Sequence, residues 1–133
     1  MSLFSINIAT PEGKMFSGEI SSCTAQGANG KFQVLTDHAP LISMIDVGEM
    51  KIELDNNKIE FLSTSGGFLE VENNEMNVVV ETAEWAKDID IERAKAAKER
   101  AEQRLEEKKD IDVDRASAAL LRALSRLNVA SKS

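Results

Sequence analysis

Glycine and proline, the two residues that most often interrupt regular structure, occur in only one half of this 133-residue chain. All seven glycines and both prolines lie at or before Gly67, and none follows it. The second half is rich in Ala, Glu, Lys, Arg and Leu, which are strong helix formers. A chain with frequent turns in one half and uninterrupted helix formers in the other predicts two different architectures joined in sequence.

The first part of the chain predicts short strands separated by turns. Met50, Ile52 and Leu54 alternate with Lys51 and Glu53, which places one face of a strand on a core and the other in water. The predicted strands are residues 3–9, 18–26, 32–35, 50–54, 59–63, 68–71 and 76–80, with turns that include residues 27–30 and 65–67. Short strands with Gly and Asn turns between them are typical of an antiparallel β-sandwich.

Two helices are predicted in the second part, at Ile91–Glu107 and Val113–Ala130. Asp90 and Asp112 precede them, where an aspartate accepts hydrogen bonds from the free amides of the first turn. Residues 108–112 allow only a tight return, so we expect the helices to be antiparallel neighbours.

The fold class is therefore α+β, with an N-terminal antiparallel β-sandwich at residues 1–86 and a C-terminal antiparallel two-helix hairpin at residues 87–133. Trp85 stands at the junction of these two parts. We expect this large aromatic side chain to pack the hairpin onto the sandwich.

The two helices are approximate copies of each other. The segments DIDIERAKAAKERAEQRL, from Asp88, and DIDVDRASAALLRALSRL, from Asp110, are identical at 11 of 18 positions. At about 100° per residue, three alanines and one leucine form a stripe along each helix. The stripes are Ala94, Ala97, Ala101 and Leu105 on the first helix and Ala116, Ala119, Ala123 and Leu127 on the second. We expect the stripes to face each other, because small side chains allow close approach.

Every arginine of the chain lies in the hairpin, on corresponding flanks of these stripes. The six are Arg93, Arg100, Arg104, Arg115, Arg122 and Arg126. Equivalent positions of an antiparallel pair emerge on the same broad face, so the six guanidinium groups are expected to share one face. Such a face suits a polyphosphate, because each planar fork can bind two oxygens. The residues alone leave open a solvated charged face, which is the commoner arrangement.

Charge and cysteine content exclude several classes of function. The net charge of −7 repels nucleic acid and anionic lipid, although residues 89–133 by themselves carry +2. Cys23 is the only cysteine and cannot form an internal disulfide. The chain also lacks a long apolar run, so neither export nor direct membrane insertion is supported, and a cytoplasmic location is indicated.

No catalytic or metal site is predicted. His38 lies near Asp37 and Ser43, but no set of nucleophile, base and oxyanion donor can be identified. The acidic pairs within residues 88–90 and 110–112 precede helices, where capping is the favoured role. Residues 27–31 lack the spacing of a phosphate-binding loop and are expected to form a hairpin turn.

Four stretches, in order and over the whole chain, resemble the epsilon subunit of the F-type ATP synthase. They are TPEGKMFSGEI from Thr10, DHAPLI from Asp37, SGGFLEV from Ser65 and IDIERAKAAKERAEQRL from Ile89. The resemblance implies a non-catalytic rotor subunit at the cytoplasmic face of the cell membrane, which couples ion translocation to ATP synthesis. The sandwich would contact the gamma subunit and the c-ring. The hairpin would inhibit ATP hydrolysis when it extends along gamma toward the alpha and beta subunits.

The resemblance also implies a regulatory ATP site in the folded hairpin. Several bacterial members bind ATP through an Ile-Asp-x-x-Arg-Ala motif, which this chain matches at residues 89–94. The expected ATP-binding residues are Glu84, Ile89, Asp90, Arg93 and Ala94 at the adenine and ribose end, and Arg100, Arg122 and Arg126 at the phosphates. ATP, with or without its Mg ion, would be a regulatory ligand, and no catalytic cofactor is expected.

The loop around His38 is expected to meet the c-ring. Here the chain departs from many family members, because Thr36 and Asp37 stand in place of Pro-Gly. The alternative function is a purely structural rotor adaptor whose hairpin does not sense nucleotide. A more remote alternative is a hairpin interaction module unrelated to the synthase.

Overall fold

Strands fill the first part of the chain and helices the second. The computed structural model of the protein describes residues 2–107 and 113–132. Its strands are β1 (Phe4–Thr10), β2 (Gly13–Gly27), β3 (Gly30–Leu35), β4 (Leu41–Leu54), β5 (Ile59–Glu72), β6 (Glu75–Val80) and β7 (Ala83–Trp85). A 3-10 turn at Ala86–Asp88 leads to α1 (Ile91–Glu107) and α2 (Val113–Ala130). The predicted fold class is confirmed.

The sheet closes on itself around the core. Its strand order is β1-β6-β5-β4-β2-β3, and β1 also pairs with β2, which brings the two layers of the sandwich into one continuous ladder. The neighbours are antiparallel except for β1 and β6, which run parallel, with Ile6 opposite Met76. The largest fully buried side chains are Ile6, Ile8, Ile20, Val34, Met50, Ile52, Leu62, Leu69, Val71, Met76, Val78 and Val80. Alternate residues of each strand thus form a single apolar interior.

The predicted turn at residues 65–67 is wrong, because β5 passes through this segment without ending. Gly66 has a φ of +107°, which suits glycine and bends the strand. A Cβ at Gly67 would overlap the carbonyl oxygen of Val79 on β6. The two glycines therefore allow a long strand to bend and to approach its neighbour closely, and they do not reverse the chain.

Tight turns connect successive strands where the sequence predicts them. Residues 27–30 join β2 to β3 as a hairpin, with Gly27 paired to Gly30, so the predicted hairpin turn is confirmed. Asn57, Asn73 and Asn74 have positive φ values in the β4–β5 and β5–β6 turns. Asparagine tolerates this conformation better than most residues, which explains its repeated use here.

Both helices have the predicted bounds, and small residues lie between them. Asp90 caps α1, because the Arg93 backbone N–H donates to its Oδ1 at 3.1 Å. The buried residues of the interface include Ala94 and Ala101 on α1 and Ala116 and Ala123 on α2, as the stripes predict. The expected cap at Asp112 and the tight return at residues 108–112 lie outside the described residues.

The hairpin docks on the sandwich through α2, which packs against β4 and β5. Ala86, Ile89, Val129 and Ala130 form a small buried cluster against Phe61. The role predicted for Trp85 is wrong: its ring packs with the sandwich core and lies edge-on to Phe16, at 5.4 Å between centroids. Since β7 pairs with β5, Trp85 is held on the sheet, and smaller aliphatic residues join the two parts.

Candidate functional site

An ion pair joins the two parts of the molecule. Arg126 Nε on α2 lies 2.6 Å from Glu84 Oε1 on β7, and each side chain is about one-third exposed. The backbone pairing of Glu84 with Ser63 on β5 fixes the position of the carboxylate at the edge of the sandwich. The pair therefore lies at the boundary between sandwich and hairpin, where any ligand would touch both.

A cavity of about 230 Å³ opens beside this ion pair, and we call it the junction cavity. Its lining residues are Glu84, Asp88, Ile89, Asp90, Arg93 and Arg126. Five of these six are among the ATP-binding residues that the family resemblance implies. Asp88 was not among them, although it begins the repeated segment. Residues from β7, the 3-10 turn, α1 and α2 thus converge on one concave surface.

A second cavity of about 120 Å³ shares Glu84 and Arg126 with the first, and we call it the hydroxyl cavity. Its lining residues are Val47, Ser63, Thr64, Ser65, Thr82, Glu84, Arg122 and Arg126. Sequence reasoning missed the four hydroxyl residues. They lie about 40 to 60 residues before the arginines, and no local pattern links a strand residue to a helix so distant in sequence.

The six arginines come together only in part. Arg93, Arg122 and Arg126 line the two cavities. Arg100, Arg104 and Arg115 are not among the described lining residues of either cavity, and all three are exposed. Ala94 also lines neither, because it is buried between the helices at 1% exposure. The expected site residues therefore divide into a convergent group and two outliers, Arg100 and Ala94.

The two cavities differ in the charge of their walls. The junction cavity has three carboxylates and two guanidinium groups, so its lining carries a formal charge of −1. The hydroxyl cavity has one carboxylate and two guanidinium groups, so its lining carries +1. Carboxylates accept hydrogen bonds from amino and hydroxyl groups, whereas guanidinium and hydroxyl groups donate to oxyanions. The described residues contain no cluster of three or more acidic, His or Cys side chains suited to a metal.

Glu49 on β4 anchors the end of α2. Its carboxylate lies 2.7 Å from Lys132 Nζ and 3.4 Å from Lys31 Nζ, and the side chain is only 9% exposed. Burial acts to raise the pKa of Glu49, but hydrogen bonds and Coulombic attraction from Lys132 and Lys31 outweigh it and lower the pKa below its ordinary value. Lys132 Nζ also lies 5.3 Å from the centroid of the Phe61 ring. The ionised form of Glu49 therefore favours the docked hairpin.

His38 belongs to a loop held at the far end of β5 and β6. The Asp37 backbone N–H donates to Asn74 Oδ1 at 2.7 Å, and Asn74 Nδ2 donates to Asp37 Oδ1 at 3.0 Å. The Nδ1 atom of His38 lies 2.7 Å from the carbonyl oxygen of Ala39. Asn74 thus holds Asp37 by two hydrogen bonds, and His38 follows directly in the same loop.

An exposed apolar row crosses the sheet near this loop. Met44 on β4 is opposite Phe68 on β5, and Phe68 is opposite Val79 on β6. Together with Ile42, these side chains are between 42% and 75% exposed. A contiguous apolar row on an otherwise charged surface is typical of a protein interface.

Two family models together cover residues 3–131 of the chain. The ATP synthase delta/epsilon chain β-sandwich domain matches residues 3–86, and the long α-helix domain of the same chain matches residues 87–131. The chain belongs to the ATP synthase delta/epsilon family.

Bacterial relatives in this family are similar over most of their length. The ATP synthase epsilon chain of Desulforamulus reducens is 47% identical over 103 residues, which are 77% of this chain and 77% of that one. The epsilon chain of Brevibacillus brevis is 40% identical over 108 residues, which are 81% and 82% of the two chains. A member of this family is a non-catalytic subunit of the synthase central stalk and is not an enzyme by itself.

Solved structures with low sequence identity to this chain show the same fold. A chain of the Euglena gracilis mitochondrial ATP synthase superposes with a TM-score of 0.80 at 17% identity, and the match covers all of this chain and 83% of that one. A chain from the central stalk and c-ring of the Tetrahymena thermophila enzyme gives 0.58 at 17% identity, with 96% and 93% covered. Neither described helix of this family member is long and apolar enough to cross a bilayer.

Proposed function

We propose that this subunit couples ion translocation to ATP synthesis in the rotor, and that its hairpin inhibits ATP hydrolysis when it extends. ATP, with or without Mg, favours the docked hairpin. The observation that supports nucleotide sensing is the junction cavity, whose walls come from both the sandwich side and the hairpin. A ligand bound there gains contacts with α2 that it loses when α2 leaves the sheet.

The coupling is a population shift between two positions of the hairpin. A ligand shifts such an equilibrium only by the difference in its affinity for the two states. Arg126 is part of the cavity in the docked state only, since it belongs to α2 and Glu84 belongs to β7. At a high ATP concentration the helices therefore stay docked on the sandwich. At a low ATP concentration they are released and can reach the alpha and beta subunits.

The sandwich provides the contacts with the rest of the rotor. The apolar row of Ile42, Met44, Phe68 and Val79 offers a surface for the gamma subunit, and the His38 loop beside it offers a contact with the c-ring. In this assembly the subunit lies at the cytoplasmic face of the cell membrane as a peripheral part of the complex.

The test is an ATP titration of the full chain, followed by calorimetry and by hydrogen exchange of α1 and α2. We expect measurable heat and slower exchange in both helices, with no change in β1 or β2. A matched Arg93→Gln variant should bind more weakly, because Arg93 lines the junction cavity. If the titration gives no heat and the hydrogen exchange of α1 and α2 does not change, the hairpin does not sense ATP.

The alternative is a structural rotor adaptor without nucleotide sensing. It is favoured by the number of direct contacts that hold the hairpin, including Arg126 with Glu84, Lys132 with Glu49 and Ser125 with Ser63 at 3.1 Å. Under this alternative, substitutions of the cavity arginines change assembly or the inhibition of hydrolysis, and the wild-type protein itself does not bind nucleotide.

A further inference from the structure

A third cavity, of about 260 Å³, lies beside the segment that leads into the hairpin, and we call it the tryptophan cavity. Its lining residues are Phe16, Ile52, Leu54, Glu60, Trp85 and Lys87. The described linings of the junction cavity and the hydroxyl cavity contain none of these six residues, so the site is a separate one. Ile52 is fully buried, whereas the other apolar side chains of the lining are half-buried. The cavity therefore reaches from the core of the sandwich to its surface.

The wall of the tryptophan cavity is mainly apolar and aromatic. The rings of Phe16 and Trp85 lie edge-on, with 5.4 Å between their centroids, and a further aromatic ring can pack against such a pair in the same manner. A dry cavity of about 150 Å³ is large enough to hold benzene. At about 260 Å³, the tryptophan cavity therefore has room for one aromatic ring with a short side chain.

One positive charge in the lining of this cavity has no partner. The Glu60 carboxylate lies 3.2 Å from Lys58 Nζ, so a neighbouring ammonium group offsets its charge. Lys87 is exposed, and its side chain forms no ion pair or hydrogen bond with any of residues 2–107 and 113–132. Its three N–H groups are therefore available to an anion. A ligand that matches both the aromatic wall and this ammonium group has an aromatic ring and a carboxylate.

We propose that the tryptophan cavity binds a small aromatic carboxylate, whose ring packs against Trp85 and whose carboxylate group binds Lys87 Nζ. The apolar wall selects the ring, because removing apolar surface from water is favourable. The ammonium group selects a carboxylate over a neutral or cationic group, because a hydrogen bond between ionised partners is stronger. Such a ligand differs in class from a nucleotide.

Ala86 connects the tryptophan cavity to the hairpin. This residue stands between Trp85 and Lys87 in the chain, and it is buried with Val129 and Ala130 at the end of α2. The position of Lys87 therefore depends on the docked hairpin. A ligand that uses Lys87 binds the docked state more tightly and shifts the hairpin toward it. This consequence, unlike the binding site itself, rests on the hairpin movement of the proposed function.

Trp85 allows a direct test of binding, because it is the only tryptophan of the chain, which also has no tyrosine. Its fluorescence in the full chain is followed during titration with phenylacetate and with phenylacetamide, a neutral analogue of similar shape. We expect both ligands to change the emission saturably. Phenylacetate should bind about threefold more tightly, which is the gain typical of an exposed ion pair. No saturable change with phenylacetate would overturn the site.

Two pairs of variants locate the ligand. Lys87→Gln should abolish the preference for phenylacetate, and Lys98→Gln, on α1 and outside this cavity, should keep it. Leu54→Phe fills the cavity and should weaken both ligands about tenfold or more, whereas Leu35→Phe, at an exposed position of β3, should not. Circular dichroism checks that all four variants fold. An unchanged preference in Lys87→Gln would refute the role of Lys87, and unchanged binding in folded Leu54→Phe would refute the location.

Hydrogen exchange separates this inference from the proposed function. Phenylacetate should slow exchange in α2 of the wild type, and it should slow it less in Lys87→Gln. Binding without slower exchange would refute the connection to the hairpin. If phenylacetate binds but ATP changes nothing in the hairpin, the cavity stands and nucleotide sensing fails. If ATP protects the hairpin but phenylacetate leaves the Trp85 emission unchanged, sensing stands and the tryptophan cavity is refuted as a site.

Discussion

Arg126 Nε and Glu84 Oε1 are 2.6 Å apart, and this one ion pair both docks the hairpin and lines the two cavities. Glu84 comes from the last strand of the sandwich and Arg126 from the penultimate turn of the chain's final helix. Nucleotide binding and hairpin docking therefore depend on the same two side chains. Ligand affinity and docking strength should respond together to changes at either position.

The ion pair can be measured with a double-mutant cycle of Glu84→Gln and Arg126→Gln. Both side chains are about one-third exposed, so we expect a coupling free energy of at most about 1 kcal/mol in urea unfolding. Both single variants should also bind ATP more weakly. A coupling near zero would show that the pair does not stabilise docking.

Substitutions of Arg122 and Arg100 should differ in their effect on ATP affinity, although the family resemblance implies that both lie at the phosphates. Arg122 lines the hydroxyl cavity, and Arg100 is exposed outside both described cavities. We expect Arg122→Gln to lower ATP affinity at least tenfold, and Arg100→Gln to lower it less than threefold. Calorimetry on the two variants, which carry the same substitution, provides the test. Equal losses would mean that α1 moves when nucleotide binds.

Removal of the Glu49 charge should loosen the end of α2. Glu49→Gln breaks the contacts with Lys132 and Lys31, and we expect docking to weaken by about 1 kcal/mol, seen as faster hydrogen exchange in α2. Glu19→Gln, on the exposed face of β2, is the control. If hydrogen exchange in α2 is the same in Glu49→Gln as in the wild type, the small buried cluster around Phe61 holds the hairpin without help from Glu49.

The same contact predicts a pH dependence. Because the folded-state pKa of Glu49 is lowered, its contribution to stability is complete above the ordinary glutamate pKa of about 4.3. It is lost as the pH falls from there through the lower folded-state pKa. Wild-type α2 should therefore exchange faster under acid conditions, and Glu49→Gln should show a smaller acid effect.

The close approach of the helices can be tested at Ala123. This residue is 2% exposed between α1 and α2, so Ala123→Leu would overpack the interface and lower the free energy of unfolding by about 1–3 kcal/mol. Ala118→Leu, at an exposed position of the same helix, should change it by less than about 0.5 kcal/mol. If both variants unfold at the same urea concentration, the interface between α1 and α2 can accommodate a larger side chain at position 123.

Cys23 should be unreactive in the folded protein. Burial raises the pKa of its thiol to about 12, so almost no thiolate forms at neutral pH. Alkylation should follow unfolding, and stability should decline as the pH rises above the ordinary thiol pKa of about 8.5. Rapid labelling of native protein at pH 8, as fast as in urea, would contradict the burial of this side chain.

Local signals were sufficient for the helices and for part of the site. The bounds of α1 and α2 follow from helix-forming composition and from Asp90 as a cap, interactions that reach only a few residues. Ile89, Asp90 and Arg93 lie within five residues of sequence, so a short motif could indicate them. The Ala stripes were visible because the helical period repeats along one segment.

Long-range pairing limited what could be predicted for the sandwich. The continuity of β5 through Gly66 depends on β4 and β6 as partners, and the parallel β1–β6 ladder joins strands some 70 residues apart. Local turn propensity favours a break at two adjacent glycines. The ladder hydrogen bonds of both neighbouring strands outweigh that propensity.

By itself, the sequence determined the division into strands and helices, the faces of the two helices and the family, because periodicity, capping and motifs depend on near neighbours along the chain. Only the tertiary structure decided which arginines meet the sandwich, how Glu84 and Arg126 connect the two parts, and that Ser63 and Thr82 share a cavity with Arg122. These relationships depend on the docking of α2 onto β5. The docking depends on the summed packing of residues far apart in sequence, which no local pattern contains.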